Sequence, residues 1–555
     1  MSQTTDIGAR AGHLVSLLPG KRDFTEMRRE PRTNLLAGLT VAIVALPLAL
    51  GFGVSSGLGA AAGITTAIIA GALAAFFGGS NLQVSGPTGA MTVVLIPIVA
   101  AHGATGVLTV GLLAGIILVL LAVAKAGQYM RFVPAPVIEG FTVGIAAIIF
   151  LQQIPAALGV TADGERVIAI AWDAVASFSR EVNWIEPIMA AAVAILMLVG
   201  ARWKPTIPFS LLAVTAATFV AVVFDHSIPQ IGELPATLPA PSLGFIDLSA
   251  IPGLLGAALA VAALAALESL LSATVADGMS VGQRHDPDRE LFGQGIANLV
   301  TPLFGGVPAT AAIARTAVNV RSGASSRLAA MSHAIILAII VLVAAPLVGH
   351  VPLAALAGVL IATSIRMVEV GSLLALARST RSDAVVMVLT AVATIALDLV
   401  MAVLIGLAVS CVLALRTISR SVRIEELRLD GSDHHAEETA LLADHVVAYR
   451  FDGPLFFAAA HRFLLELTEV ADVRVVVLRM SRVSTVDASG AIVLRDAIER
   501  LEHRRITVLL SGVRPEHEQP LTALGVLGRL SEMDRVFEHT SDAIAAARVL
   551  ALNRR

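Results

Sequence analysis

Gln83-Val-Ser-Gly-Pro-Thr-Gly-Ala90 and Leu303-Phe-Gly-Gly-Val-Pro-Ala-Thr310 are the two stretches on which the fold turns. Each has a short β-like entry, then proline, then Thr or Ala-Thr, then a helix of small residues. They stand about 220 residues apart in an otherwise apolar chain. Paired interrupted segments at corresponding positions of two halves mark the midplane site of transporters built from inverted repeats. Proline is well tolerated in a first helical turn. Two facing helix starts, each with free backbone N–H groups, make a pocket suited to an anion. On this reading the helices begin at Pro87 and Pro308. The competing reading is that Gly and Pro only kink packed membrane helices.

The chain around these stretches is a membrane domain with a soluble tail. Of its 555 residues, 56% are apolar and 15% charged, and the mean hydropathy is +0.82. Soluble proteins carry about 25% charged residues. Residues 34–416 are only about 8% charged, whereas 417–555 reach about 28%. One large soluble enzyme and a disordered scaffold are both excluded. Net charge −3 and pI near 6.5 offer nothing to nucleic acid. The single cysteine, Cys411, can form no intrachain disulfide and is expected to pack as a small hydrophobe. No Cys/His spacing suggests a metal site, His285, His434, His435 and His503 read as solvated, and no nucleophile–base set or phosphate loop suggests an enzyme.

Apolar runs near 106–124, 132–151, 187–201, 208–224, 249–276, 332–349 and 385–415 read as spans. Asp398 divides the last into a tight helix pair. Residues 35–53, with Pro47, Gly38, Gly51 and Gly53, read as too broken for an ordinary span. The N-terminus lacks the short apolar core of a signal peptide. Basic residues before the first run (Lys21, Arg22, Arg28, Arg29, Arg32), at two later breaks (Arg284 with Arg289, Arg321 with Arg327) and after the last span (Arg416, Arg420, Arg423) place both termini in the cytoplasm and make the crossings even in number.

Glu268 lies in Ala257-Ala-Leu-Ala-Val-Ala-Ala-Leu-Ala-Ala-Leu-Glu268-Ser-Leu-Leu-Ser-Ala-Thr274. A carboxylate there costs about 2.5–3.5 kcal/mol on insertion scales, so it should face protein or water and serve a purpose. It is a candidate proton carrier or cation ligand, or an anchor between helices. Ser272, four residues on, shares its helix face. Arg315, two turns into the helix after Pro308, could back the anion pocket, pair with Glu268 or snorkel. Glu139 and Asp398, nearer helix ends, read as capping or loop contacts.

With these features in hand, the sequence resembles the SulP (sulfate permease) family over nearly its whole length. The match is carried by Leu36-Ala-Gly-Leu-Thr-Val-Ala-Ile-Val-Ala-Leu-Pro47, Phe77-Gly-Gly79, Val84-Ser-Gly-Pro-Thr-Gly89, Phe292-Gly-Gln-Gly-Ile-Ala-Asn298, Leu303 through Thr310, and Arg315-Thr-Ala-Val-Asn319. The resemblance is strongest to cyanobacterial sodium-dependent bicarbonate transporters. It implies a polytopic α-helical membrane protein of fourteen segments in two inverted seven-helix repeats, a core domain moving against a gate domain, and a C-terminal α/β STAS domain. The boundaries expected are 1–33 cytoplasmic, 34–418 transmembrane, 419–439 linker and 440–552 STAS. Substrate would lie between the third and tenth segments, with Thr88, Gly89, Ala309, Thr310, Ala314 and Arg315 as contacts. Glu268 and Ser272 match the sodium-site Asp and Thr of the eighth segment.

Two positions depart from the family. Its cation-site aspartate is glutamate here, as in proton-coupled bacterial relatives. Leu48 follows the first-segment proline, where animal and many plant members carry a polar residue, often Gln. The function expected is secondary active transport of bicarbonate, sulfate or a C4-dicarboxylate, coupled to H⁺ or Na⁺ by elevator-type alternating access. The protein is expected as a homodimer in the inner (plasma) membrane, with no cofactor. Anion exchange, an uncoupled anion channel and a membrane-anchored STAS signalling protein are the alternatives.

In the tail, Val446–Phe451, Val473–Leu478 and Ile506–Leu510 read as strands, and Ala459–Thr468 and Gly490–His503 as helices. Asp452-Gly-Pro-Leu-Phe-Phe457 and Val486-Asp-Ala-Ser-Gly490 resemble STAS motifs. Ala488 takes the place of the serine phosphorylated in anti-sigma antagonists, so no phosphoswitch is expected there, although Ser489 remains. The tail is expected to be structural and dimerising, without transport chemistry.

Overall fold

A computed structural model describes residues 12–164, 166–203, 207–224, 228–235, 237–397, 399–421, 423–426, 445–455 and 473–552. Asp398, His434, His435 and the helix expected at 459–468 lie outside the described residues. The chain divides into two compact units, Met1–Leu407 and Ala408–Arg555.

In the first unit, the elements that build the candidate site are α1 (Lys21–Met27), α2 (Pro31–Ser55), α3 (Ala60–Phe77), β1 (Ser85–Gly86), α4 (Gly89–Val123), α5 (Ile251–Met279), α6 (Pro287–Val300), β2 (Thr310–Ala311), α7 (Ile313–Arg321) and α8 (Leu328–Gly349). β1 and β2 form a two-stranded antiparallel crossing, Ser85 opposite Ala311 and Gly86 opposite Thr310. Packed around it are α3, α5 and α6, with α2, α4, α7 and α8 completing the bundle. A separate set of contacts joins Ala135–Gln152 to Arg381–Ala396 and Ile185–Trp203 to Leu353–Met367. There Gly140 and Gly144, four residues apart, let one backbone approach Met387, Thr390 and Thr394, the small-residue packing typical of helices in lipid.

Eight helices among the described residues have the length and composition to cross a membrane, and two shorter ones are apolar. Length alone undercounts such a chain. α4 is two helices joined at Gly103, whose φ of 64° breaks the helix, and α7 has only nine residues.

The segment 35–53, read as broken, is instead part of the continuous 25-residue α2 with Pro47 inside it. Its glycines explain why. A Cβ on Gly53 would lie 2.9 Å from Gly63 Cα, and one on Gly38 would strike the Ser332 side chain. The helix is therefore held by close contact with α3 and α8, which outweighs the hydrogen bond lost at proline. The spans Ala60–Phe77 and Leu353–Ser379 were not among the runs picked from the sequence. Their Ala, Gly and Thr content masks them. The long run 385–415 does divide, into helices Arg381–Ala396 and Leu399–Ser421. Cys411 is exposed on the second, not packed in a core.

The second unit holds a sheet of order β3-β4-β5-β6-β7: Arg423–Glu426, Val446–Leu455, Val475–Val486, Thr507–Ser511 and Val536–Phe537. The first pair is antiparallel and the others parallel. Val475 through Leu478 are fully buried, as expected of a parallel strand covered on both faces. β3 lies inside the segment expected as linker, where no apolar run announced it. Asp487 caps helix α9 (Ala488–His503), its Oδ1 accepting from Gly490 N at 2.7 Å.

Candidate functional site at the strand crossing

The site is built by short extended segments that hand over to helices. After β1, Pro87 leads to Thr88, which is the N-cap of α4. Its backbone is extended, and its Oγ1 accepts from Met91 N at 3.3 Å, as a threonine cap should. The same hydroxyl donates to Glu268 Oε2 on α5 at 2.9 Å. Gly89 opens α4, buried against Ile149 and Phe52. At Gly86, φ is 153° and an added Cβ would lie 2.6 Å from Arg315 Nη1. Only glycine fits there.

Arg315 comes from the opposite side of the crossing. It sits in the first turn of α7, not two turns in, because that helix starts at Ile313. It is 1% exposed, and its Nη2 donates to Pro87 O at 2.9 Å. Its Nη1 has no hydrogen-bond partner. Thus the guanidinium anchors to the backbone next to Thr88 instead of making a contact pair with Glu268. One buried cationic N–H group remains available.

The starts of the two helices also differ from the expectation. α4 begins two residues after Pro87 and α7 five residues after Pro308. The delay has a physical cause in α6. Asn298 Oδ1 accepts from Ala309 N at 2.8 Å while its Nδ2 donates to Ala309 O at 2.9 Å. Both backbone polar groups of Ala309 are thereby held with the chain extended, and Thr310-Ala311 then pair with β1. By its place as N-cap, Thr88 corresponds to Ala312, the residue preceding α7, and not to Thr310. Thr310 is fully buried and its hydroxyl donates to Ala265 O at 3.1 Å.

So the structure gathers Thr88, Gly89, Glu268 and Arg315 around Pro87. Ala309 and Thr310 hold the crossing from behind, and Ala314 is exposed. Ser272 shares α5 with Glu268 but turns to Thr316, donating to its Oγ1 at 2.9 Å. Thr316 Oγ1 in turn accepts from Val84 N at 3.1 Å. No cluster of three or more His, Cys, Asp or Glu occurs among the described residues. The oxygens open to a hard cation are Glu268 Oε and the hydroxyls of Thr88 and Ser272.

Several residues that position this site were missed from the sequence. Glu290, Gln294 and Asn298 recur every four residues on α6, and all are buried. That polar stripe at helical spacing was a readable signal. Glu290 accepts from Ser269 Oγ (2.7 Å), Gln294 Nε2 (3.0 Å), Gly79 N (3.0 Å) and Ser80 N (3.2 Å). Gln294 Nε2 also donates to Ser85 Oγ at 2.6 Å. The network ties β1, α3 and α5 together beside Glu268.

A second anchor lies outside the spans. Asp23 on α1 accepts from Arg289 Nη2 at 2.8 Å and pairs with Arg327 Nη2 at 2.9 Å. Arg327 also donates to Asn81 Oδ1 and to the Phe76 carbonyl. Burial pushes the Asp23 carboxyl up, but bonds from Arg289 and Gly20 N–H and the charges of both arginines outweigh it, and the carboxyl is held below 3.8. Arg289 and Arg327, read above as orientation signals, thus have a structural role as well. Likewise His285, read as solvated, lies 2.7 Å from Asp277 Oδ2, and Glu139 accepts from Ser372 Oγ at 3.0 Å.

Residues 32–390 match the sulfate permease family and residues 440–543 the STAS domain. The chain belongs to the sulfate permease family. YvdB of Bacillus subtilis, named a putative sulfate transporter, is 35% identical over 91% of this chain and 96% of its own length. The bicarbonate transporter BicA of Synechocystis is 30% identical over 94% and 95% respectively. The solved transmembrane domain of a cyanobacterial BicA is 31% identical, with a TM-score of 0.61, covering 69% of this chain and 98% of that one. The structure of SLC26A9, at 17% identity, shares the fold with a TM-score of 0.81 over 98% of this chain and 94% of that one. This sulfate permease family member is thus a helical membrane transporter with a C-terminal STAS domain, and its relatives are transporters, not enzymes.

Proposed function

We propose that this transporter carries a small oxyanion (bicarbonate, sulfate or a C4-dicarboxylate) together with H⁺ or Na⁺, as a secondary active symporter using elevator-type alternating access. The names of YvdB and BicA support the first two substrates. One observation carries the coupling: the Thr88 hydroxyl donates to Glu268 at 2.9 Å while standing at the start of α4, beside a buried arginine with a free N–H. A hydroxyl has one proton to give. When Glu268 is charged and unaccompanied, Thr88 gives that proton to Glu268. When a proton or sodium ion occupies the carboxylate, the hydroxyl is released toward an anion. The anion then collects Thr88 Oγ1–H, the α4 backbone N–H groups and Arg315 Nη1. Ser272 assists the cation from the same helix, while Ala309, Thr310 and Ala314 shape the α7 side.

Loading a cation with the anion also lowers the electrical work of entry. A negative-inside potential opposes each negative charge by about 2.3 kcal/mol per 100 mV, and each cotransported cation cancels one such charge. The bundle holding the crossing would move as the core against the helices of the second contact group. The STAS domain, in the cytoplasm of a homodimer in the plasma membrane, would be structural and take no part in transport chemistry.

The test is uptake of labelled bicarbonate, sulfate and fumarate into proteoliposomes under separate proton and sodium gradients. Glu268→Gln is expected to lose gradient-driven accumulation while the chain still folds. Normal accumulation with coupling intact in Glu268→Gln would overturn the assignment. Ohmic anion currents in planar bilayers without stoichiometric uptake would replace transport by a channel.

A further inference from the structure

Pro87-Thr88 is flanked by two glycines that face different neighbours. On the Gly86 side an added Cβ would lie 2.6 Å from Arg315 Nη1. On the Gly89 side it would strike Ile149 Cδ1 and lie 3.0 Å from Ile149 Cγ1 and 3.1 Å from Phe52 Cε1. The start of α4 thus has a cationic flank and an apolar one. Ile149 is fully buried and Phe52 nearly so. The φ of Gly89 is not positive. The close approach of isoleucine, and not backbone conformation, is what calls for glycine there.

Ile149 arrives from a different set of helices. It belongs to Ala135–Gln152, which packs on Arg381–Ala396 and Leu353–Met367. Four residues on, Gln153 Nε2 donates at 3.1 Å to the Oγ of Ser55, the last residue of α2, about one turn beyond Phe52. Leu360, from Leu353–Met367, seats on α2 in a similar way: a Cβ on Gly51 would lie 3.0 Å from its Cδ1. These contacts fix where the Ile149 side chain stands. The wall it makes is without charge. Ala135–Gln152 has one titratable residue, Glu139, ten residues before Ile149 and bonded to Ser372. α2 has only Arg32, twenty residues before Phe52.

We propose that Ile149 is the specificity-determining residue that sets the size of anion this transporter accepts. This rests on the anion site proposed above. An anion held by Arg315 Nη1, the Thr88 hydroxyl and the first N–H groups of α4 meets the Ile149 side chain at Gly89. A compact oxyanion keeps its oxygens on the Arg315 flank. A longer dianion has to set its second charged end against Ile149 and Phe52. Neither side chain has a donor to replace the water that end gives up. Removing carbons at position 149 makes room there and admits water, so longer anions gain and compact ones do not.

The test is calorimetric binding of bicarbonate, sulfate and fumarate to the purified full-length protein. Sulfate and fumarate are both dianions at neutral pH, so comparing them separates length from charge. Wild type is expected to bind the compact anions more tightly than fumarate. Ile149→Ala, three carbons smaller, is expected to raise fumarate affinity relative to the compact anions by about tenfold. Ile149→Val, one carbon smaller and still β-branched, should move that ratio the same way by less. A residue that only packed helices together would weaken all three anions alike and leave the ratio in place. An unchanged ratio in Ile149→Ala overturns the proposal, as does a wild type that prefers fumarate. If Ile149→Ala does not fold, an unchanged ratio in Ile149→Val overturns it equally. A different failure, in which wild type binds none of the three or Arg315→Gln binds them as wild type does, strikes the anion site itself and removes the basis of both readings.

Discussion

Replacing Asn298 by alanine is the sharpest test of how the crossing is held. Asn298 is fully buried and satisfies both the N–H and the C=O of Ala309, at 2.8 and 2.9 Å. Truncation leaves two buried backbone groups unpaired. Each such group costs about 1–3 kcal/mol, so the pair amounts to about 2–6 kcal/mol. Water entering the space left by the side chain would relieve part of this, and about 3 kcal/mol is the working figure. Because Ala309 leads into β2 and then into α7, a loosened peptide also displaces Arg315. Anion affinity should fall along with stability, by about tenfold for each 1.4 kcal/mol that reaches the site. Asn298→Asp should be at least as damaging. It keeps an acceptor for Ala309 N but sets carboxylate oxygen against carbonyl oxygen. The assay pairs chemical denaturation of the detergent-solubilised protein with anion titration. An Asn298→Ala protein that unfolds at the wild-type midpoint and binds with wild-type affinity would refute this account of the crossing.

Other expectations concern packing and charge. Asp23→Asn should destabilise the first unit by about 2 kcal/mol, because it leaves Arg289 and Arg327 facing each other without their carboxylate. Since the folded carboxyl titrates below the ordinary 3.8, its contribution is complete above about pH 4 and is lost as pH falls through the lowered folded value. Denaturation midpoints measured from pH 3 to 7 should therefore fall less steeply on acidification in Asp23→Asn than in wild type. Gly63→Ala should cost more than about 2 kcal/mol in the same measurement, since its Cβ would run into Ala49 O and lie 2.7 Å from Gly53 Cα. Gly253→Ala on α5, with open space around it, should change the midpoint by less than about 1 kcal/mol. Asp487→Ala removes the cap of α9 and should lower the stability of the second unit by about 1 kcal/mol, with anion uptake unchanged.

Much of this protein is legible in order along the chain. The fall in charge over residues 34–416 identifies the membrane unit, because lipid tolerates few unpaired charges. Alternating patterns near 446–510 identify the α/β tail. The two broken segments and Glu268 stand out because each violates the rule for an ordinary apolar helix. Less legible were the residues that satisfy others. Asn298, Gln294 and Glu290 look unremarkable in a list of polar residues until their four-residue spacing is set against burial. Type and spacing also did not show where the Thr310 and Ser272 hydroxyls donate, to Ala265 O and Thr316 Oγ1, partners 45 and 44 residues away.

What the sequence determined by itself was therefore the class: an apolar unit with paired interruptions and an intramembrane carboxylate, followed by a charged α/β domain. Those are properties of composition and local order, set by where backbone and charge can exist in lipid. Only the tertiary structure decided which polar atoms meet. Pro87-Thr88 and Arg315 are 228 residues apart along the chain, and their encounter depends on β1 crossing β2. That crossing depends on Asn298 holding Ala309 extended and on Gly86 leaving room for a guanidinium. No local pattern encodes such a meeting, because hydrogen bonds are specific to position in space and indifferent to distance along the chain.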